Sequence, residues 1–559
     1  MWRAITDLFK KAVSLLRRSR LGYSEESEFE KQLAESMEAG EVPDIRGYEN
    51  YEVVDRYTVV KPYAHVFILE EKVSRERLYY VYESPLNAYE MRAYERLVKI
   101  LEWELKPFDK SLLAKSESGV SEAEIEREYL LEQVKNLMRR YSVRLEATLK
   151  RRVDWNKVYY YLVRDNVGYG QLDVILRDPY IEDVSCNGVG KPVYVWHQRY
   201  ESMPTNIVFE TDEELDSMVL KLVHKAGKHI SSAFPIVDAI LPEGHRLAAT
   251  FRREVSTRGS TFTIRKFKEK PLSIIDLVKG RTLDPMTAGY LWLAMEYKMP
   301  GIVIGVTGSG KTTMLNALAT MFRPNIKVVT IEDTPELKLT LENWVQLVAR
   351  PSYALGGSKV GEVTLYDLVK ISLRYRPDVI IVGEIRGEEA YVLFQAMATG
   401  HGGLTTAHAE HVRNLVRRLT SPPMNIPPSY IPLLKWCLLV RRVTIPGEHG
   451  PVTVRRVFNI WEIKDYDKYK VSLAWDPARD KFVLDLRDSL VVEEVSAITG
   501  KSHDEVRREI EKRATVIQWM ALRDKRDYRE VADVIYMYYR FPEDVFEKAA
   551  EEVAHYAEK

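Results

Sequence analysis

A stretch of eight residues in the second half of the chain has the types and spacing of a phosphate-binding loop. It reads Gly305-Val306-Thr307-Gly308-Ser309-Gly310-Lys311-Thr312, which is the pattern G-x-x-x-x-G-K-[ST]. Glycines let backbone N–H groups converge on phosphate oxygens, and a helix that begins at the loop adds the positive end of its dipole. Lys311 is placed for the terminal phosphates and Thr312 for Mg²⁺. The pattern predicts nucleotide binding, with further contacts from Gly305, Thr307, Gly308, Ser309, Gly310 and Thr313.

Polar side chains that suit phosphoryl chemistry follow three other apolar runs of the same region. The runs span residues 328–331, 379–382 and 404–407. After them come, in order, Glu332 with Glu336, then Glu384, then His408. Carboxylates beside a phosphate loop can neutralise charge through Mg²⁺ and orient a water molecule, and a histidine can donate to a phosphate oxygen. We therefore expect hydrolysis of the nucleotide as well as binding.

These polar residues need a scaffold that brings several strand ends together. Apolar runs with β character alternate with helical stretches through residues 268–559, beginning at 302–306. That alternation predicts βαβ units, a mostly parallel sheet and a ligand site at the carboxyl ends of its strands. One further strand is a candidate at 458–463. Otherwise we expect helices from residue 457 onward, with amphipathic segments at 489–498, 502–523 and 527–539.

Residues 155–267 show short strands with helical turns between them. The pattern predicts strands at 172–176, 193–196, 247–251 and 261–264, and a helix at 211–226. Arg246 and Arg265 belong to a group of arginines on strands that lead into the nucleotide domain. Guanidinium groups bind phosphate well, so these two are candidates to reach a bound nucleotide from the side. The alternative, that they are ordinary solvated arginines, stays open.

The first 154 residues contain no pattern that we interpret as catalytic. Residues 1–20 can form an amphipathic helix with a basic face, which suits an anionic membrane surface, a groove on a partner, or packing against its own domain. The segment 1–50 is this helix followed by an acidic tether. We expect a small α/β docking module at 51–110 and a helical spacer at 111–154.

Composition limits the classes of function. The chain has 82 Lys plus Arg against 82 Asp plus Glu, so no global field draws it to nucleic acid. Its two cysteines, Cys186 and Cys437, cannot build a four-cysteine zinc site. No apolar run approaches the ~20 residues that span a bilayer, which predicts a cytoplasmic protein. Scarce Gln with abundant Glu, Lys, Arg and Tyr is typical of growth at high temperature.

Taken together, the motifs resemble those of the type II/type IV secretion system ATPase family, the hexameric motors of type IV pilus assembly, type II secretion and the archaellum. Residues 330–337 are similar to that family's aspartate box, 378–387 to its atypical Walker B motif and 400–408 to its histidine box. Residues 178–197, 242–247 and 261–267 resemble its N-terminal sensing domain, in wording closest to archaeal members. The resemblance covers about residues 50–540.

The resemblance implies a fold and roles for the polar residues. The fold is α/β: a RecA-like P-loop motor domain with a helical C-terminal layer, preceded by an α+β (PAS-like) domain and a small extra α/β module. Either Glu332 or Glu336 would position the attacking water. Glu384, with Thr312, would lie at Mg²⁺, and His408 would sense the γ-phosphate.

Two arginines between the first two motifs match places where this family carries residues that reach a neighbouring subunit's nucleotide. They are Arg350 and Arg374, and either can equally be part of a structural ion pair. An arginine supplied in trans would make hydrolysis depend on assembly.

The activity implied is hydrolysis of ATP with Mg²⁺, without zinc. The protein would be a cytoplasmic homohexamer on the inner face of the cell membrane, acting on a polytopic membrane platform protein and, indirectly, on pilin-like subunits. Two alternatives stay open: a hexameric nucleic-acid translocase or helicase, and a nucleotide-gated scaffold with little turnover. Balanced charge and the lack of a recognisable nucleic-acid-binding module weigh against a nucleic acid partner. Whether the motor serves a pilus, an archaellum or secretion also stays open.

Overall fold

The computed structural model describes residues 48–104, 122–149, 152–267, 270–350, 361–447 and 450–557. The chain forms two compact units, Met1–Phe267 (unit 1) and Lys268–Lys559 (unit 2). The basic helix predicted within residues 1–20 lies outside the described residues, as does the acidic tether up to residue 47.

Unit 1 is built on a nine-stranded sheet with the order β1-β2-β3-β6-β5-β4-β9-β8-β7. Its strands are β1 (Tyr51–Val60), β2 (Ala64–Glu71), β3 (Arg77–Glu83), β4 (Ile181–Cys186), β5 (Pro192–His197), β6 (Glu201–Val208), β7 (Ile236–Ile240), β8 (Arg246–Thr250) and β9 (Thr261–Arg265). Neighbouring strands are antiparallel except β3 and β6, which meet in parallel at Tyr79 and Thr205. The predicted docking module thus shares a sheet with the segment after it, and the domain boundaries stay predictions.

The helices of unit 1 are α1 (Ala88–Glu104), α2 (Glu122–Leu149), α3 (Trp155–Asn166), α4 (Asp173–Arg177) and α5 (Asp212–Lys225). The first three bury a common apolar cluster that includes Leu97, Leu137 and Leu162. Helix α5 packs its buried Val219 and Leu222 into the cluster that also holds the inner side chains of the sheet. Thr211 caps α5 by accepting a hydrogen bond from Glu214 N.

The strand predicted at residues 172–176 is wrong, because this segment is helical. Leu172 ends a 3₁₀ turn, and α4 follows directly. Asp173 accepts hydrogen bonds from Tyr169 N and from Arg177 one turn later, at 3.1 and 2.6 Å. The residues between them are buried on every side. A short helix without an exposed face shows no 3.6-residue period, so its apolar run resembles a strand.

Unit 2 is built on a second nine-stranded sheet with the order β12-β11-β13-β14-β10-β15-β16-β17-β18. Its strands are β10 (Gly301–Ile304), β11 (Val328–Glu332), β12 (Trp344–Val348), β13 (Val379–Val382), β14 (Gly402–Ala407), β15 (Trp436–Gly447), β16 (Gly450–Asp465), β17 (Lys468–Asp476) and β18 (Lys481–Leu484). The helices are α6 (Ile274–Lys279), α7 (Pro285–Glu296), α8 (Lys311–Ala319), α9 (Leu365–Ser372), α10 (Glu389–Ala398), α11 (Val412–Thr420), α12 (Leu490–Thr499), α13 (His503–Leu522), α14 (Tyr528–Arg540) and α15 (Pro542–Ala557). All pairs from β12 to β15 are parallel, which confirms the predicted sheet with helices between its strands.

The strand predicted at 458–463 is confirmed as part of β16, but the rest of the antiparallel half of this sheet was not predicted, and the expectation of helices from residue 457 onward is otherwise wrong up to Leu484. Strands β15 to β18 pair consecutively in antiparallel fashion. Arginines at 441, 442, 455 and 456 interrupt the apolar alternation of β15 and β16. Without that alternation the local pattern does not indicate a long hairpin.

The predicted helical C-terminal layer is confirmed, and α15 adds a helix that was not predicted. Buried helix α7 lies against α13 at Gly289, where a Cβ atom would come within 2.6 Å of Ile510 O. Such a close approach requires glycine. Within the described residues, no helix combines the length and apolar character that crossing a membrane needs.

Candidate functional site

The predicted phosphate-binding loop joins β10 to α8. Strand β10 pairs in parallel with β14 on one side and β15 on the other, so the loop leaves the sheet at its carboxyl edge, away from the sheet margins. Gly308 and Gly310 have φ angles of 72° and 96°. Side chains with a Cβ rarely adopt this backbone region, so the turn requires both glycines. Gly310 is the N-cap of α8.

Lys311 begins α8, and its side chain turns back over the loop. The residue is 8% exposed, and its Nζ donates a hydrogen bond to Val306 O at 3.0 Å. The same Nζ lies 3.5 Å from His408 Nδ1. A buried ammonium group at the N-terminus of a helix concentrates positive charge where a phosphate would bind.

His408 lies between Lys311 and Glu384 and links the ends of β14 and β13. Its Nε2 is 2.9 Å from Glu384 Oε1, at an ion-pair distance but without the alignment of a hydrogen bond. The other carboxylate oxygen accepts a hydrogen bond from Arg386 Nη2 at 2.6 Å. The structure therefore brings together three predicted site residues from three separate segments.

The charges around this pair shift both pKa values downward. Burial acts to raise the pKa of Glu384, but the hydrogen bond from Arg386 and nearby positive charges outweigh it, so its pKa lies below the ordinary value. Burial and the Lys311 ammonium lower the pKa of His408. At neutral pH, Glu384 is ionised and the imidazole of His408 is neutral.

Glu332 ends β11 in a different environment. It is 3% exposed, and Oε2 accepts hydrogen bonds from the backbone N–H of Glu336 and Leu337 at 2.6 and 2.8 Å. Its Oε1 accepts from Gln346 Nε2 at 3.1 Å. Burial raises the pKa of Glu332 to about 7 in spite of these three donors. Glu336 is half-buried, and its carboxylate makes no hydrogen bond with the described residues.

The residues at this edge of the sheet fit a nucleotide phosphate with Mg²⁺. Ser309 Oγ in the loop and Glu384 Oε1 are buried and have no hydrogen-bond partner within the described residues. Thr312 follows Lys311 and is half-buried. Buried polar atoms need partners, and Mg²⁺ is usually held by one or two protein oxygens together with the phosphates of its ligand. Nowhere in the described ranges, this edge of the sheet included, does a group of three or more His, Cys, Asp or Glu side chains form a metal-binding cluster.

Arg350 and Arg374 do not contact the loop in the structure. Arg350 pairs with Val363 in a β-bridge, and its Nε donates to Gly361 O at 2.8 Å. Arg374 follows α9 and is exposed, with no hydrogen bond or ion pair to any described residue. The two candidates therefore differ in their contacts: the Arg350 guanidinium donates to a backbone carbonyl of its own chain, and the Arg374 guanidinium has no such contact with the described residues.

Arg246 and Arg265 lie in unit 1, opposite each other in the β8–β9 pair. The guanidinium of Arg246 pairs with the exposed Asp238 at 2.6 Å. Arg265 faces Asp183 across the β4–β9 pair. That these arginines contact a nucleotide stays a prediction.

Sequence reasoning missed polar residues that adjoin the site from later strands. Gln346 of β12 binds Glu332, and Arg455 of β16 donates from Nε and Nη2 to Gly308 O, each at 3.4 Å. Arg442 of β15 lies beside Arg455 as its cross-strand partner. The arginine pairs at 441–442 and 455–456 are visible in the sequence and could have indicated a positively charged surface. Their place beside the loop depends on the β15–β16 register, which local patterns do not contain.

Comparison with known families gives two matches. The model described as "Type II/IV secretion system protein" matches residues 174–431. The model described as "PilB3-like, N-terminal" matches residues 5–85.

Similar proteins are found in archaea and bacteria. The uncharacterized protein MJ0900 of Methanocaldococcus jannaschii is 40% identical over 393 residues, which is 69% of this chain and 70% of that protein. The type IV secretion system protein PtlH of Bordetella pertussis is 30% identical over 315 residues, covering 50% of this chain and 90% of PtlH.

Solved structures with partial similarity include two ATPases. The Legionella pneumophila ATPase DotB has a TM-score of 0.40 and 16% identity, covering 64% of this chain and 92% of that one. The VirB11 ATPase of the Brucella suis type IV secretion system, solved with sulphate, has a TM-score of 0.25 and 24% identity, covering 51% and 90%. The relatives and family models confirm the resemblance of the motifs: the chain belongs to the type II/IV secretion system protein family.

Proposed function

We propose that this protein hydrolyses ATP and uses the energy to drive a type II-like secretion system or the assembly of type IV pilus-like filaments. The observation that carries the proposal is the convergence of Lys311, His408 and Glu384 beside a loop with the nucleotide-binding pattern. Each of the three comes from a different strand end or helix start, so their meeting is a property of the fold and not of one short motif.

The loop residues and Lys311 would hold the phosphates of ATP, while Thr312 and Glu384 would hold Mg²⁺. When bound, Mg²⁺-ATP supplies the phosphoanhydride bond and a cation that withdraws charge from it. Loop N–H groups and the Lys311 ammonium would donate to phosphate oxygens. His408, neutral at pH 7 because its pKa is lowered, can exchange hydrogen bonds with the terminal phosphate.

Of the two candidates for positioning the attacking water, we favour Glu332. Its pKa of about 7 lets it gain or lose a proton near physiological pH, which suits a residue that orients water and takes up its proton. Glu336 contributes its backbone N–H to the Glu332 carboxylate and so helps to fix its orientation.

We propose further that the active form is a homohexamer in which Arg374 acts on the nucleotide of a neighbouring subunit. Arg374 is exposed and unpaired within the described residues, whereas the chain already engages Arg350 through Gly361. An arginine in trans stabilises the charge of the transition state, so hydrolysis would require assembly.

The setting we propose is the cytoplasmic face of the cell membrane, with a polytopic platform protein as the direct partner. Family membership supports this setting, since secretion systems act across membranes. The segment expected to contact lipid, residues 1–20, lies outside the described residues.

The variant Lys311→Ala tests the proposed activity. Removing the ammonium group should lower Mg²⁺-dependent ATP turnover at least about a hundredfold, because this group neutralises phosphate charge in the ground and transition states. The measurement is steady-state phosphate release by the full chain, with circular dichroism to verify folding. The exposed Lys464→Ala is the matched control and should keep wild-type turnover. Normal turnover by Lys311→Ala would contradict the site assignment.

The concentration dependence of turnover tests assembly. Turnover per chain should rise as subunits associate, and Arg374→Ala should remain at the low level throughout, about a hundredfold or more below the assembled wild type. Lys370→Ala, an exposed cation of α9, serves as control. Turnover per chain that stays flat across the range in which oligomers form, as seen by light scattering, would rule out an arginine in trans.

A further inference from the structure

The hairpin formed by β15 and β16 passes directly beside the phosphate-binding loop. Strand β15 runs parallel to β10, with Ile304 opposite Leu439, so the next residues of both strands remain neighbours. A Cβ atom on Gly305 would lie 2.5 Å from Val440 O, which shows how closely the strand and the start of the loop approach. Beyond this point the hairpin carries a cross-strand pair of arginines, Arg442 and Arg455.

Both arginines face the two glycines with left-handed backbone. Arg455 Nε and Nη2 each lie 3.4 Å from Gly308 O. The Cδ of Arg455 would be 3.2 Å from a Cβ atom on Gly310, and Nη1 of Arg442 would be 3.9 Å from one on Gly308. Both arginines are half-buried as whole residues, while the hydrogen bonds of Arg455 to Gly308 O lie at the exposed surface.

The carbonyl that Arg455 binds controls the direction of an amide in the loop. The peptide bond between Gly308 and Ser309 is trans, so the Gly308 C=O and the Ser309 N–H point in opposite directions. With its carbonyl turned toward Arg455, this peptide aims the Ser309 N–H into the loop, where it donates to Val306 O at 3.3 Å. Lys311 Nζ donates to the same Val306 oxygen, so the Ser309 N–H and the lysine ammonium converge on one acceptor of the loop.

We propose that Arg455, with Arg442 beside it, is a positioning residue that fixes the Gly308–Ser309 peptide so that the Ser309 N–H is already directed at the phosphate site. Gly308, on one side of this peptide, widens the range through which it can rotate, and a guanidinium that donates twice to its carbonyl narrows that range. Preorganised donors lose less entropy on binding, so the nucleotide binds more tightly. This inference rests on the proposed nucleotide binding by the loop.

Other arginines of the same hairpin offer a matched comparison. Arg441 precedes Arg442, but it donates to Glu410 O at 3.1 Å and stacks on the ring of Phe458, away from Gly308. Arg441→Ala therefore removes a guanidinium of similar burial from the same strand without touching the contact with the loop.

The test measures hydrogen exchange of the loop without nucleotide, and nucleotide affinity, in the full chain. Hydrogen exchange at residues 305–311 should be faster in Arg455→Ala than in wild type, and the Kd of a fluorescent ADP analogue should rise about fivefold, as expected for loss of a long charge-assisted hydrogen bond. Arg441→Ala should match wild type in both measurements. Arg455→Lys keeps the positive charge but lacks the planar guanidinium with its paired N–H donors. It should therefore fully restore neither the slow exchange of the loop nor the nucleotide affinity.

Three outcomes would overturn the inference. One is unchanged loop exchange in Arg455→Ala, a second is full recovery of affinity by Arg455→Lys, which would assign the effect to charge alone, and the third is an equal effect from Arg441→Ala. A wild-type protein that binds no nucleotide would contradict the proposed function instead. In that case loop exchange in the absence of nucleotide would still decide whether Arg455 orders the loop.

Discussion

The glutamates at the ends of β11 and β13 lie on neighbouring parallel strands, yet their carboxylates meet different partners. Glu332 is surrounded by neutral donors, two backbone N–H groups and the Gln346 amide, and burial raises its pKa to about 7. Glu384 meets the Arg386 guanidinium and the His408 ring, and its pKa is lowered although burial opposes the shift. Two similar side chains thus acquire opposite protonation behaviour from their surroundings.

This difference indicates a division of labour. A carboxylate that stays ionised at every physiological pH suits a fixed ligand of a hard cation. A carboxylate with a pKa near 7 can accept a proton from water and release it again. We therefore assign the role of Mg²⁺ ligand to Glu384 and the role of proton acceptor for the attacking water to Glu332. Variants of the two residues should have different effects on turnover.

The largest effect is expected from Glu332→Gln. The amide keeps the size of the side chain but cannot accept a proton, so turnover should fall about 100- to 1,000-fold. Affinity for Mg²⁺-ATP should change little, because Glu332 contacts neither the loop nor Lys311 among its observed hydrogen bonds. Steady-state phosphate release measures the turnover, and equilibrium titration with a fluorescent ATP analogue measures the affinity. Turnover close to wild type would move the role to Glu336.

A smaller and different effect is expected from Glu384→Gln. Loss of the fixed negative charge should raise the Mg²⁺ concentration needed for half-maximal turnover about tenfold, since second-shell or direct ligands of a metal typically carry effects of this size. The measurement is turnover against Mg²⁺ at constant ATP. An unchanged Mg²⁺ requirement would show that Glu384 serves only its contacts with Arg386 and His408.

The apolar strands that carry the site could be predicted from the sequence, and the reason is physical. Strands β10, β11 and β13 are buried on both faces, so each forms a mostly apolar run, and the site residues lie at the carboxyl end of the run or within a few residues after it. The phosphate-binding loop could also be predicted from the sequence. Its turn depends on the backbone conformations of Gly308 and Gly310, and both glycines belong to the eight-residue motif.

What could not be predicted depends on contacts between distant segments. The raised pKa of Glu332 arises from burial by the packed fold, which outweighs the hydrogen bond that Gln346 donates from another strand. The contact between Arg455 and Gly308 requires the exact register of β15 with β16 and of β15 with β10. The short helix α4 was read as a strand because burial on all sides removed its period. In each case the local pattern lacks the information that tertiary packing supplies.

The most direct test of the division between the two carboxylates is the pH dependence of turnover at saturating Mg²⁺-ATP. A group with a raised pKa near 7 is protonated and inactive as a base below that pH, so wild-type turnover should increase about threefold between about pH 6.5 and 7.5. The same acidic limb should persist in Glu384→Gln at high Mg²⁺ and disappear from the residual activity of Glu332→Gln. If Glu332→Gln retained the limb, or if wild-type turnover were flat across this range, Glu332 would not be the proton acceptor and the account would be wrong.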